Sequence, residues 1–174
     1  MNFGGLGGAT GGGVGTGGDP AARAAYLVTW PQYWRFRLTG QLATDVTSLG
    51  CHTDPWNPCE GRFSGLAARL GLTGKIAPAL RSGDVPGTIT QDIAAATGLP
   101  PHTPVACGVH ACNAPPLPHL IARPGAFSVV STGTWVIVMT IGGRQVTLDP
   151  ARATLMNINA RQAPVAAARF MGGL

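Results

Sequence analysis

The stretch Pro104-Val-Ala-Cys-Gly-Val-His-Ala-Cys-Asn-Ala114 is followed, after a Pro-broken helical segment, by Ala126-Phe-Ser-Val-Val-Ser-Thr-Gly-Thr-Trp-Val-Ile-Val-Met139. Together these segments decide the reading of the chain. Pro104 to Val109 has the pattern of a buried strand, and near Gly108 it runs into a cluster of small polar residues. Ala126 to Met139 is a pair of apolar, β-rich runs hinged on Ser131-Thr-Gly-Thr134. A strand ending at a reactive site, then a hydroxyl- and Gly-rich turn between strands, suits an ATP-dependent phosphotransferase. Phosphate needs backbone N–H groups free of side-chain obstruction, and a Gly-Thr turn supplies them.

Moving outward, the flanks alternate helices with few strands, which gives an α/β class. Asp19 to Thr29 reads as a short helix, with Asp19 as N-cap and Pro20 at the first helical position. Trp30, Tyr33, Trp34 and Leu38 then recur at helical spacing and mark one apolar face of a second helix ending at Gly40. These aromatics are assigned to the core rather than to a sugar platform. Thr44 to Ser48 turns into a helix start, and Asp54-Pro-Trp-Asn-Pro58 is a loop. Phe63, Leu66, Ala67 and Leu70 form a further amphipathic helix stopped by Gly71. Gly83 to Thr90 is turn and strand, and Gln91 to Thr97 is a short helix capped by Gly98.

The ordered succession of these segments resembles the FGGY family of carbohydrate kinases, in particular its rhamnulokinase, fuculokinase and xylulokinase-like members. Gly108-Val-His-Ala-Cys-Asn-Ala114 is similar to that family's Gly-x-His-Asp-x-x-Ala motif, and Ser131-Thr-Gly-Thr-Trp135 to its hairpin turn. Pro31-Gln-Tyr-Trp-Arg-Phe-Arg-Leu-Thr-Gly40, Thr47-Ser-Leu-Gly-Cys-His-Thr-Asp54, Asn157-Ile-Asn-Ala160 and Ala168-Arg-Phe-Met-Gly-Gly173 extend the likeness. The resemblance implies a ribonuclease H-like, actin/hexokinase-type fold, present in part. It implies ATP-dependent phosphorylation of a ketose hydroxyl, with ATP and Mg²⁺ as cofactors and a small sugar as partner. Thr132, Gly133 and Thr134 would face the ATP phosphates, while His110 and Asn113 would line the sugar side. The Gly-Thr-Trp turn points towards deoxyketoses such as rhamnulose or fuculose.

Position 111 departs from the family pattern. The family's Asp, which takes the proton from the sugar hydroxyl, would stand there, and this chain has Ala111. Alanine cannot accept a proton, and His110 points in another direction from its neighbour. A general base contributes about 10²–10⁴-fold, so impaired catalysis is expected. The alternative is a non-catalytic remnant acting as a binding or assembly fragment. The resemblance divides the chain into a Gly-rich flexible tail (1–18), the second half of the sugar-binding domain (19–123), and the opening hairpin of the ATP-binding domain (124–174). The family's Asp-x-Gly-Thr turn would lie upstream and its adenosine-site helices downstream, so a partial chain is expected. Pro115, Pro116 and Pro118 are expected to strain the helix behind the base position.

Composition bounds the remaining classes. Length alone suggests one domain, at 174 residues. The net charge of +5 is spread over scattered Arg residues with Lys75 as the sole lysine, so no nucleic-acid partner is expected. No apolar run reaches the roughly 18 residues of a membrane span, and no secretory signal pattern opens the chain. A cytoplasmic location and no membrane partner are expected. Cys51, Cys59, Cys107 and Cys112 contain no Cys-x-x-Cys pair, so free thiols are expected and no metal site is assigned. Gly13-Val-Gly-Thr-Gly-Gly18 satisfies G-x-G-x-x-G literally, but no β-branched strand precedes it and no βαβ unit follows. In a tract with ten glycines among eighteen residues, the match carries no dinucleotide site.

Overall fold

Alternation of more and less buried side chains builds the hairpin over Phe127–Thr132 and Val136–Ile141. The computed structural model describes residues 23–133, 135–144 and 146–171. The Gly-rich tail and the Asp19–Pro20 helix start lie outside them. Within the described residues the helices are α1 (Trp30–Thr39), α2 (Val46–His52), α3 (Gly65–Arg69), α4 (Gln91–Thr97) and α5 (Leu117–Ala122). The strands are β1 (Thr44–Asp45), β2 (Trp56–Asn57), β3 (Arg62–Phe63), β4 (Ala79–Leu80), β5 (Gly87–Thr88), β6 (Pro104–Val105), β7 (Phe127–Thr132), β8 (Val136–Ile141), β9 (Thr154–Ile158) and β10 (Pro164–Phe170).

Strands β7 to β10 form one antiparallel sheet in the order β7-β8-β10-β9. Val129 pairs with Met139, and Met139 with Ala167, so inward residues stack across three strands. Ile137, Met139, Ile141, Val165 and Ala167 are buried against Leu120 of α5, which closes one face of the sheet. This hairpin is the one expected from the apolar runs around Ser131 to Thr134. A second cluster joins Val46 and Leu49 of α2 to Trp56 and to Ile158 at the end of β9. The approach is close: a Cβ on Gly50 would stand 2.6 Å from Ile158 Cγ2 and 3.3 Å from Trp56 Cδ1. Only glycine lets α2 lie this near the strand.

The first half is built differently. β1 pairs in parallel with β4, and Leu27 bridges Ile76 in the same sense. Residues Ala24 to Thr29 therefore lie outside the helix expected there; the Leu27 N–H and C=O are engaged by Lys75 and Ala77. α1 forms where expected, with Pro31 in its first turn and Gly40 as a left-handed C-cap. Its orientation reverses the expectation. Trp30 and Trp34 are each 54% exposed, Trp30 stacking on Tyr33 and Trp34 meeting it edge-on, whereas Gln32, Arg35 and Thr39 face the interior. The polar face goes inside because each of its members finds a hydrogen-bond partner there.

Smaller differences follow from local chemistry. Trp56 and Asn57, read as loop, make a short hairpin with β3, so Phe63 belongs to a strand that precedes α3. The strand expected over Pro104 to Val109 stops at Val105, pairing antiparallel with β5. Its continuation bends away at Gly108, whose φ of +90° suits glycine. The strain expected in α5 is relieved by position. Pro116 is the N-cap and Pro118 lies in the first turn, where no N–H is required. α4 and its Gly98 cap agree with the sequence, and Thr90 adds an N-cap bond to the Ile93 N–H.

Candidate active site

The site turn starts where regular structure ends. After β6 the backbone of Cys107 and Gly108 is held by loop carbonyls, with Cys107 N–H on Asp84 O at 2.7 Å and Gly108 N–H on Ser82 O at 2.9 Å. Side chains then grip the same segment. Gln32 Nε2 donates to Cys107 O at 2.8 Å, and the His110 N–H donates to Thr47 Oγ1 at 2.8 Å. Both gripping residues meet Asp45, the N-cap of α2. Its carboxylate accepts from the Ser48 N–H at 2.8 Å, from the Thr47 hydroxyl, and from Gln32 Nε2 at 3.3 Å. Arg35 Nε donates to Gln32 Oε1 at 2.8 Å and Arg35 Nη2 to Gln41 O at 2.7 Å. Burial lowers the Arg35 guanidinium from its ordinary value, and Cys107 partly offsets the effect. Burial, with the nearby Asp45 charge, pushes the Cys107 thiol up to about 12.

The turn itself is a short 3₁₀ helix, Ala111–Asn113, capped by His110. His110 Nδ1 accepts from the Cys112 N–H at 3.2 Å. A neutral imidazole with Nδ1 accepting carries its proton on Nε2. The ring cannot take a proton at Nδ1 without breaking the cap. Ala111 is exposed at the head of the turn and brings only a methyl group. Asn113 is fully buried: its Nδ2 donates to Ile158 O and, at 3.4 Å, to Asn157 Oδ1, while its Oδ1 has no partner among the described residues. It thus ties the turn to β9. Cys51 joins this junction through Asn157 Nδ2 at 3.6 Å, and burial raises its thiol to about 11.

The structure therefore brings His110, Ala111 and Asn113 together beside Asp45 and Thr47. Thr132 and Gly133 are exposed at the tip of the β7–β8 hairpin, and Thr134 lies outside the described residues. Among the described residues, a Cβ on Gly133 would meet nothing nearer than Trp135 O at 3.9 Å. Among the described residues, no cluster of three or more His, Cys, Asp or Glu could hold a metal ion, and no helix is long and apolar enough to cross a membrane. A cavity of about 250 Å³ beside Phe63, Ala67, Leu72 and Ile76 touches none of the site residues.

Over residues 124–174 the chain matches the family described as carbohydrate kinase FGGY, C-terminal domain. A carbohydrate kinase from Novosphingobium aromaticivorans superposes with a TM-score of 0.77 at 43% identity, over 89% of this chain and 35% of that one. The chain belongs to the FGGY carbohydrate kinase family. A xyloylose kinase from Brucella ovis (TM-score 0.72, 22% identity, 87% of this chain and 31% of that one) shares the fold. So does a xylulose kinase from Rhodospirillum rubrum (0.67, 20%, 87% and 31%). None of the curated proteins matches the chain. The fold is the actin/hexokinase type of these sugar kinases, and the chain spans about a third of their length.

Within that FGGY frame, sequence reasoning found the turn but missed Gln32, Arg35 and Asp45, the residues that hold it. One signal was available for Asp45: an Asp followed by Val-Thr-Ser at the start of an apolar helix is an N-cap pattern. No local pattern marks Gln32: beyond Arg35 on the same helix, its partners Asp45 and Cys107 lie 13 and 75 residues away.

Proposed function

We propose that this chain is a carbohydrate kinase relative in which ATP-dependent phosphorylation of a ketose hydroxyl is disabled at the base position. The observation that carries the reading is Ala111 at the head of the clamped turn, beside a His110 whose Nδ1 is committed to the Cys112 N–H. Proton abstraction from a sugar hydroxyl needs an acceptor within hydrogen-bond reach. Ala111 supplies none, and the cap commits His110 Nδ1 to the Cys112 N–H. His110 and Asn113 are proposed on the sugar side, with Asn113 acting through its bonds to β9. Thr132, Gly133 and Thr134 are proposed as the phosphate cradle, which the open hairpin tip supports. ATP supplies the phosphoryl group when bound, and Mg²⁺ would be carried on its phosphates. The residues 19–123 would belong to the sugar-binding domain and 124–174 to the ATP-binding one. A cytoplasmic location accords with that chemistry, because ATP is there.

The test is ADP release with ATP, Mg²⁺ and a panel of ketoses including xylulose, rhamnulose and fuculose, for the unaltered chain and for Ala111→Asp. The unaltered chain is expected to show no sugar-dependent ADP release. Turnover by it equal to that of Ala111→Asp would overturn the reading.

A further inference from the structure

We propose that Asp45 is a positioning residue for the site turn, acting through Gln32 and Thr47 on the backbone that carries position 111. The inference rests on the reading of position 111 as the base position, and it concerns how that position is held. An N-cap needs only one acceptor for one backbone N–H, and the Ser48 N–H on Asp45 already fills that role. The carboxylate does more. A carboxylate only accepts, so the single Thr47 hydroxyl proton is drawn to Asp45. Thr47 Oγ1 is then left with lone pairs, and these face the His110 N–H. On the other arm, Arg35 Nε fixes Oε1 of Gln32, so the two Nε2 protons must face Asp45 and Cys107 O.

Every donor and acceptor along the two arms is thereby assigned one direction. The arms end on the C=O of residue 107 and the N–H of residue 110, with Gly108 at φ +90° between them. The next residue is Ala111. Asp45 is 1% exposed and Gln32 also 1%, so water does not compete for these bonds.

The experiment is residue-resolved amide exchange by NMR on the whole chain. Thr47→Val removes the acceptor for His110 but leaves the Asp45–Ser48 cap in place. His110 N–H exchange is expected to accelerate on the order of tenfold, the worth of one hydrogen bond. The Gly98 amide in the remote α4 cap should not change, and Thr47→Ser should restore protection at His110. An unchanged His110 rate in Thr47→Val overturns the proposal. If Thr47→Val does not fold, Asp45→Asn reads the other arm, since its amide would set a donor against Gln32 Nε2. A shifted carbonyl-carbon resonance for Cys107 is then expected, and an unmoved one overturns the proposal. Sugar-dependent turnover by the unaltered chain would instead overturn the activity reading and leave the exchange result standing.

Discussion

The four-stranded sheet and the clamp around position 111 are both buried, yet they are held by opposite kinds of interaction. Met139, Ile137 and Val165 pack on Leu120 with no polar atom required. Gln32, Arg35, Asp45 and Thr47 are equally enclosed, but almost every contact among them is directional. Dispersion and hydrophobic burial tolerate small displacements of a side chain, whereas a hydrogen bond weakens steeply off its axis. A sheet that serves as a platform can be built from the first kind. The turn over residues 107–113 is held by the second.

The sharpest way to break the sheet side is Met139→Ala, at a residue 2% exposed in the centre of the cluster. A loss of about 2–5 kcal/mol is expected from removed contacts and the cavity left behind, read by urea denaturation. If the two regions are held separately, the His110 amide of the still-folded variant should keep its exchange rate.

On the clamp side, Asp45→Ala leaves the Ser48 N–H, the Thr47 hydroxyl and one Gln32 N–H without their acceptor. A loss of about 1–3 kcal/mol is expected from stranding buried donors, measured in the same denaturation experiment. Position matters more than magnitude here. Unlike Met139→Ala, this variant should perturb His110 and Cys107 resonances while the β7–β10 amides stay protected. Equal disturbance of both regions would show that the contrast between them is not real.

The same contrast explains what could be read in the sequence. Phe127 to Ile141 was legible as a hairpin because burial in a one-sided sheet follows a period of two, and that period is local. α4 was legible because Thr90 and Gly98 are caps that act within one turn. α1 was legible in extent and not in orientation. Its aromatic stripe suggested the buried side, but the side that is buried is chosen by Asp45, Gln41 and Cys107, which no window around Gln32 contains. For the same reason Pro104 to Val109 looked like a longer strand than it is. Its small apolar residues do pack inward at Cys107, but their backbone bonds go to loops and side chains rather than to a neighbouring strand. Ala111 was singled out through the resemblance alone; the bonds that hold its neighbours were not legible in the sequence.

The smallest expected effect lies between the two regions, in the pH dependence of the thiols. Cys107 sits in the clamp with its thiol raised to about 12, and Cys51 lies at the β9 junction with its thiol raised to about 11, from an ordinary value of 9.0. A folded-state value above the unfolded one means that the folded chain keeps a proton the unfolded chain gives up. Below pH 9 both states hold these protons and the thiols add no slope. Above it the unfolded chain ionises first, so stability falls as the pH rises towards 11 and 12. Melting temperatures from pH 8 to 11 should therefore drop less steeply for Cys107→Ala than for the unaltered chain, and Cys51→Ser should flatten the slope by a smaller amount because its shift is smaller. Comparing variants cancels the contribution of the other groups that titrate in this range. A steeper alkaline fall in Cys107→Ala would mean that its thiol favours ionisation in the folded chain, and the dry, directional interior inferred for the clamp would have to be abandoned.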